Sequence, residues 1–203
     1  MFVVLEGIDG SGKTSVGREV VDRLNQKGIP AEFTFEPSDL PVGKLLREVL
    51  KGEFETSAHT HALLFAADRE EHLREVVIPA MEQGTVVVCD RYVFASMAYQ
   101  GARGVDVEGI WEMNTALPHF RIPDLSLLLD IPPEASLLRT DHRGSVDIFE
   151  TPEFLSRVRD IYLQIERDHE LDMFLDLQII DASQGFEDVV VDVLDAILMA
   201  RKQ

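Results

Sequence analysis

Gly7-Ile8-Asp9-Gly10-Ser11-Gly12-Lys13-Thr14 is the stretch that decides the fold. It satisfies G-x-x-x-x-G-K-[ST] at every required position. The apolar run Phe2-Val3-Val4-Leu5 before it reads as a strand, and Ser15 to Leu24 after it carries a helical pattern. Strand, glycine-rich turn and helix start together make a phosphate cradle. Glycines let backbone N–H groups converge on phosphate oxygens, and the helix start adds unpaired donors and a positive dipole end. Lys13 is then expected to reach the β- and γ-phosphates, with the Thr14 hydroxyl facing Mg²⁺.

Outward from the cradle, strand and helix patterns alternate. Val3–Glu6, Glu32–Phe35, Thr85–Cys89, Leu125–Asp130 and Leu177–Ile180 are apolar or β-branched runs, as strands buried on both faces require. Helical patterns span Thr14–Gln26, closing near Gly28, then Pro41–Leu50, His59–Met81, Phe94–Gln100, Val107–Leu117, Pro133–Arg139, Glu153–Phe174 and Phe186–Arg201. The order predicts an α/β fold: a doubly wound, five-stranded parallel sheet flanked by helices, with ligands beyond the carboxyl ends of the strands. The chain reads as one P-loop domain over residues 1–203. A polar stretch around Gly144 stands out as a short lid, at about 139–152.

Composition narrows the function. The chain has 203 residues and a formal charge of −18, which argues against nucleic acid as a partner. Its five lysines are Lys13, Lys27, Lys44, Lys51 and Lys202, so arginine dominates the basic set. An acidic, lysine-poor surface suits a salt-rich cytoplasm, and plain solubility accounts for it equally. No apolar run reaches membrane-span length, and no basic leader precedes the first strand. Cys89, the only cysteine, reads as a small core residue. A reducing cytoplasm fits these features, and no membrane association is expected.

Four further constellations bear on chemistry. Val86-Val87-Val88-Cys89-Asp90-Arg91 puts a carboxylate and a guanidinium at the strand end beside the cradle. Asp90 there suits Mg²⁺ or a proton, and Arg91 suits phosphate oxygens. Phe65 and Arg69 are four apart on one helix, compatible either with a nucleobase platform or with a core phenylalanine beside a solvated arginine paired to Asp68 or Glu70. Glu36-Pro37-Ser38-Asp39-Leu40-Pro41-Val42-Gly43 shapes a loop after the second strand, and Arg47 one turn on faces either a substrate phosphate or solvent. In the lid, Arg139, His142 and Arg143 are positioned to neutralise a transferring phosphoryl group, or are simply solvated. His59 and His61 have no metal-ligand spacing and read as structural or exposed.

Taken together, Glu6 to Thr14, Glu36 to Gly43, Leu63 to Arg69 and Asp90-Arg91-Tyr92 resemble thymidylate kinases, in wording most similar to the archaeal branch. The likeness runs from Met1 to about Ala200. It implies ATP as phosphoryl donor, dTMP as acceptor, Mg²⁺ as cofactor and a homodimer, for which the apolar face of His59–Met81 is a candidate. The cradle Gly7, Ile8, Asp9, Gly10, Ser11, Gly12, Lys13 and Thr14 would hold ATP, with Thr14 and Asp90 on the metal. Ala182 to Gly185, with Ser183 and Gln184, would pack on adenine.

On the acceptor side the resemblance assigns the deoxyribose 3′-hydroxyl to Asp9 and the thymine to Phe65 and Arg69. Ser96, Tyr99 and Gln100 would read base and sugar, with the Tyr99 ring favouring deoxyribose. Glu36, Pro37 and Glu150 would approach the substrate. Asp90 and Arg91 match the catalytic pair. Two departures stand out. The loop carries no arginine, so the lid arginines Arg139 and Arg143 would supply the catalytic charge, and Ser38 replaces an arginine, leaving Arg47 and Arg91 for the acceptor phosphate.

Overall fold

A computed structural model describes residues 1–140, 151–167 and 177–202. Five strands, β1 (Phe2–Glu6), β2 (Ala31–Phe35), β3 (Val86–Asp90), β4 (Leu125–Asp130) and β5 (Leu177–Asp181), form one sheet in the order β2-β3-β1-β4-β5. All four pairings are parallel, with Leu5 opposite Asp90 and Glu6 opposite Leu128. The central strands β1 and β3 are buried along their whole length, which is why their sequences are continuous apolar runs rather than alternating ones. The edge strands β2 and β5 are only partly buried.

The chain steps outward from β1 to β2, returns to β3, and crosses to β4 on the other side of β1. Strand order therefore reverses at β1, and the crevice at its carboxyl end is where a parallel α/β sheet accepts ligands. The Gly7–Thr14 turn leaves β1 at that point. Gly7 has φ +139°, and a Cβ there would lie 2.6 Å from the Leu129 carbonyl oxygen, so only glycine lets the turn pass β4 this closely.

Around the sheet lie α1 (Lys13–Gln26), α2 (Pro41–Leu50), α3 (Ala58–His72), α4 (Ile78–Glu82), α5 (Val93–Gly101), α6 (Val107–Thr115), α7 (Pro133–Thr140), α8 (Pro152–Arg167) and α9 (Phe186–Ala200). Gly28, at φ +75°, ends α1, with the Ile29 N–H returning to the Leu24 carbonyl. The single helix expected over His59–Met81 is instead α3, a π-helical turn at Leu73–Val77, and α4. The Ile78 N–H reaches back five residues to Leu73, just before Pro79, which lacks an N–H and crowds the preceding turn. The helix expected over Glu153–Phe174 is described to Arg167; residues 168–174 lie outside the described residues.

Candidate active site

The Gly7–Thr14 turn joins β1 to α1, the strand–turn–helix order that its sequence predicts. Lys13 and Thr14 open α1, with Gly12 as its left-handed N-cap. Lys13 is 5% exposed, and its Nζ donates to the carbonyls of Gly7 at 2.9 Å and Ile8 at 2.8 Å and to Ser11 Oγ at 3.3 Å. Burial, then the charge of Arg91, lower its pKa to about 8. The Thr14 hydroxyl donates to Asp90 Oδ2 at 2.5 Å. The other Asp90 oxygen is buried without a hydrogen-bond partner. A hydroxyl beside an unsatisfied carboxylate oxygen suits a hard cation that keeps water and phosphate oxygens as its remaining ligands. Among the described residues no cluster of His, Cys, Asp or Glu makes a protein-only cage.

Arg91 follows Asp90 and turns into the crevice. Its φ of +71° is the only positive value among the described non-glycine residues. Its guanidinium lies 4.7 Å from the centre of the Tyr99 ring, and Nη2 donates to Asp9 Oδ1. The Tyr99 hydroxyl donates to Asp9 Oδ2 at 2.6 Å and accepts from the Asp9 N–H at 3.0 Å. Burial pushes the Asp9 carboxyl up, but Arg91, Lys13 and these hydrogen bonds outweigh it and hold the group below its ordinary value.

Two cavities meet at this cluster. One, of about 130 Å³, is lined by the cradle residues Asp9, Gly10, Gly12, Lys13, Thr14 and Ser15 together with Asp90 and Arg91. The other, of about 150 Å³, is bounded at one end by Asp9, Arg91 and Tyr99 and elsewhere by residues that include Pro37, Phe65 and Gln100. Asp9 and Arg91 belong to both walls. Gln100 is 3% exposed, and its Oε1 has no hydrogen-bond partner. His61 and Arg103 also line the second cavity and lie outside the expected set. Arg103 donates to His61 Nδ1 at 2.5 Å, which requires that nitrogen unprotonated; burial and then the arginine charge both lower the His61 pKa. Their spacing was a usable signal: His61 stands four residues before Phe65, and Arg103 three after Gln100.

Other expected residues support the cavity from behind. Arg69 is 1% exposed, neither solvated nor paired with Asp68 or Glu70. It binds Glu36 Oε2 through Nε at 3.0 Å and Nη2 at 2.6 Å, and also Asn114 Oδ1 and Ser96 Oγ. Glu36 is buried and also meets His72 Nδ1 at 3.2 Å. Glu36, Arg69 and Ser96 thus form a network beneath the cavity wall. Arg47 faces neither cavity nor solvent alone. It donates to the carbonyls of Pro37 at 2.6 Å and Ser38 at 2.7 Å and pairs with Asp39, stapling the loop.

Arg139 donates to the Ala182 carbonyl at 2.9 Å, which ties it to the β5–α9 loop. In that loop Ser183 bonds Asp181, and Gln184 bonds Asp192. His142, Arg143 and Glu150, with most of the expected lid, lie outside the described residues. On the apolar face of His59–Met81, expected as a dimer surface, Leu63 is exposed, whereas Ala66, Leu73, Val77 and Met81 are buried or half-buried within the chain.

The family profile described as thymidylate kinase matches residues 5–193. A protein of Pyrococcus abyssi named probable thymidylate kinase is 41% identical over 199 residues, covering 95% of this chain and 93% of that protein. A protein of the same name from Pyrobaculum calidifontis is 40% identical over 195 residues, covering 96% of this chain and 94% of its own length. A cradle at the sheet's switch point, the Asp9–Arg91 junction between two cavities, and matches over nearly the full length of both partners agree: the chain belongs to the thymidylate kinase family.

Proposed function

We propose that the chain transfers the γ-phosphoryl group of ATP to the 5′-phosphate of dTMP, giving ADP and dTDP. The observation that carries this reading is the sharing of Asp9 and Arg91 by two cavities, one lined by the phosphate cradle and one by Phe65, Tyr99 and Gln100. Two anions approaching through these cavities would meet at one guanidinium.

The acceptor phosphate is already a nucleophile, so the protein's task is to hold two anions together. At about 4 Å and an effective dielectric near 20, each unit like-charge pair costs roughly 4 kcal/mol. Lys13 and Arg91 supply opposing charge from fixed positions, so little reorganisation is needed during transfer. Arg91 neutralises the acceptor phosphate where the cavities join, while Tyr99 keeps Asp9 turned toward the deoxyribose 3′-hydroxyl. Phe65 offers a face to thymine, and the unpartnered Gln100 Oε1 offers an acceptor to its N–H edge. Arg69 acts one layer back by holding Glu36 and Ser96. Thr14 and Asp90 would hold Mg²⁺, which when bound spreads the charge of the β- and γ-phosphoryl oxygens. Arg139 belongs with the adenine end, beside Ser183 and Gln184; Arg143 and Glu150 retain their expected roles in a lid over a single domain.

The protein is proposed to work in the cytoplasm as a homodimer. Exposed Leu45, Phe54 and Leu63, on α2, after it and on α3, offer apolar surface for a second copy. Among the described residues no helix is long and apolar enough to cross a membrane.

Coupled ADP release with MgATP and a panel of dTMP, dUMP, dCMP, AMP, GMP and thymidine tests the reading. Strong preference for dTMP is expected. Preference for another monophosphate would keep the transfer site and discard the base-pocket assignment. Activity with thymidine alone would make the chain a nucleoside kinase, and no acceptor-dependent release would favour a nucleotide-binding switch.

A further inference from the structure

Glu6, the last residue of β1, is absent from the roles above. It is fully buried, yet both carboxylate oxygens are in use. Oε1 accepts the Tyr92 backbone N–H at 2.9 Å, and Oε2 accepts the Tyr162 hydroxyl of α8 at 3.0 Å. Arg91, Arg69 and Lys13 act on it electrostatically, and the Tyr162 hydroxyl also lies against the Gly7 backbone.

The bond to Tyr92 matters because of where it falls. β3 ends at Asp90, and the next residue adopts the left-handed conformation, which is unfavourable for a non-glycine residue. Two consecutive N–H groups hold that turn against β1. Arg91 donates to the Leu5 carbonyl at 2.9 Å, a backbone contact, and Tyr92 donates to the Glu6 side chain. The carboxylate thus takes over where the backbone ladder stops. The direction of the Arg91 side chain follows from this turn.

Resting on the reading of Arg91 given above, we propose that Glu6 is a positioning residue for phosphoryl transfer: it fixes the left-handed turn that aims Arg91 between the two cavities, and Tyr162 on α8 orients it. Glu6 thereby bridges the turn that carries Arg91 to α8, a helix of the β4–β5 connection. Phe154, also on α8, packs edge-on against Tyr99 at 6.1 Å, so the same helix contacts both ends of the Arg91 cluster.

Steady-state kinetics on the full chain with MgATP and dTMP, with melting curves to check folding, decides this. Glu6→Met keeps the shape and removes the acceptor. It is expected to lower kcat about tenfold or more while changing the KM for ATP less than about threefold. Glu6→Gln retains an acceptor for Tyr92 and is expected within about threefold of the parent kcat. In an Arg91→Ala background, Glu6→Met should cost nothing further, because both changes remove one function. Parental kcat in folded Glu6→Met, or a full additional loss on Arg91→Ala, would overturn the proposal. Should Glu6→Met not fold, Tyr162→Phe decides: a kcat about threefold lower or worse at unchanged ATP KM supports it, and parental kcat overturns it. An Arg91→Ala enzyme with parental turnover would sink the reading of Arg91 itself, whereas an inactive Arg91→Ala beside an unaffected Glu6→Met sinks only the role of Glu6.

Discussion

At the scale of single residues, the site is made of charges whose surroundings have been set against their ordinary behaviour. Lys13 has its pKa lowered to about 8 by burial and the neighbouring Arg91. Glu6 is pushed up to about 7 by burial, despite help from Tyr162, Arg91, the Tyr92 N–H and Arg69. For Glu6 the sign is definite. A carboxyl whose folded pKa lies above its unfolded value binds its proton more tightly in the native state, so its contribution is most favourable below the unfolded pKa and is lost as pH rises through the folded one. Glu6→Gln removes this titration. The stability of the parent relative to Glu6→Gln, measured by urea unfolding, is expected to fall by about 2–3 kcal/mol between about pH 5 and pH 8. A pH-independent difference would show that Glu6 titrates normally. The spacing of Phe65 and Arg69 marked both residues but not their division of labour. Phe65 lines the cavity, and Arg69 is spent on Glu36 and Asn114. Its partners are 33 and 45 residues away, and no local pattern names them.

At the scale of elements, the loop after β2 is held to α2 and α3 by an unusually close fit. Asp68 on α3 accepts from the Ser38 N–H at 2.7 Å and the Ser38 hydroxyl at 2.6 Å, while Arg47 on α2 holds the Pro37 and Ser38 carbonyls. Gly43, in the first turn of α2, lies under this knot, and a Cβ there would sit 2.1 Å from the Ser38 carbonyl oxygen and 2.7 Å from Asp68 Oδ1. The first contact is backbone and the second is a carboxylate held by two hydrogen bonds from Ser38, so the loop would have to move. Gly43→Ala is therefore expected to destabilise the fold by about 1–3 kcal/mol and to raise the KM for dTMP more than that for ATP, since Pro37 lines only the second cavity. Equal effects on both KM values would mean that the loop does not shape the acceptor site. The substitution of Ser38 for the arginine expected from the resemblance acquires a physical use here, because a small hydroxyl can enter the buried Asp68 carboxylate. Sequence identified the loop by its prolines and Gly43, but not the knot, which needs two helices packed on it.

At the scale of the whole molecule, 37 acidic against 19 basic residues leave a net charge of −18. Such a surface repels itself, and salt screens it: the Debye length falls from about 10 Å at 0.1 M to about 3 Å at 1 M. The melting temperature is expected to rise by several degrees from about 0.05 to 1 M NaCl, where a domain this size gains about 2–4 °C per kcal/mol. A flat or falling curve would show that the acidic groups are already neutralised by local pairs such as Arg23 with Glu19 and Glu187. The sequence by itself determined the phosphate cradle, the parallel sheet and the place of Asp90 and Arg91, because each is written in contiguous residues whose backbone geometry follows from glycine, apolar runs and strand ends. Only the tertiary structure decided that Arg47 staples a loop, that His61 and Arg103 line one cavity with Phe65 and Tyr99, that Arg139 reaches Ala182, and that Glu6 meets Tyr162 across 156 residues. The reason is that a buried charge must find its partner wherever the parallel register brings one, and that register joins segments far apart in the chain.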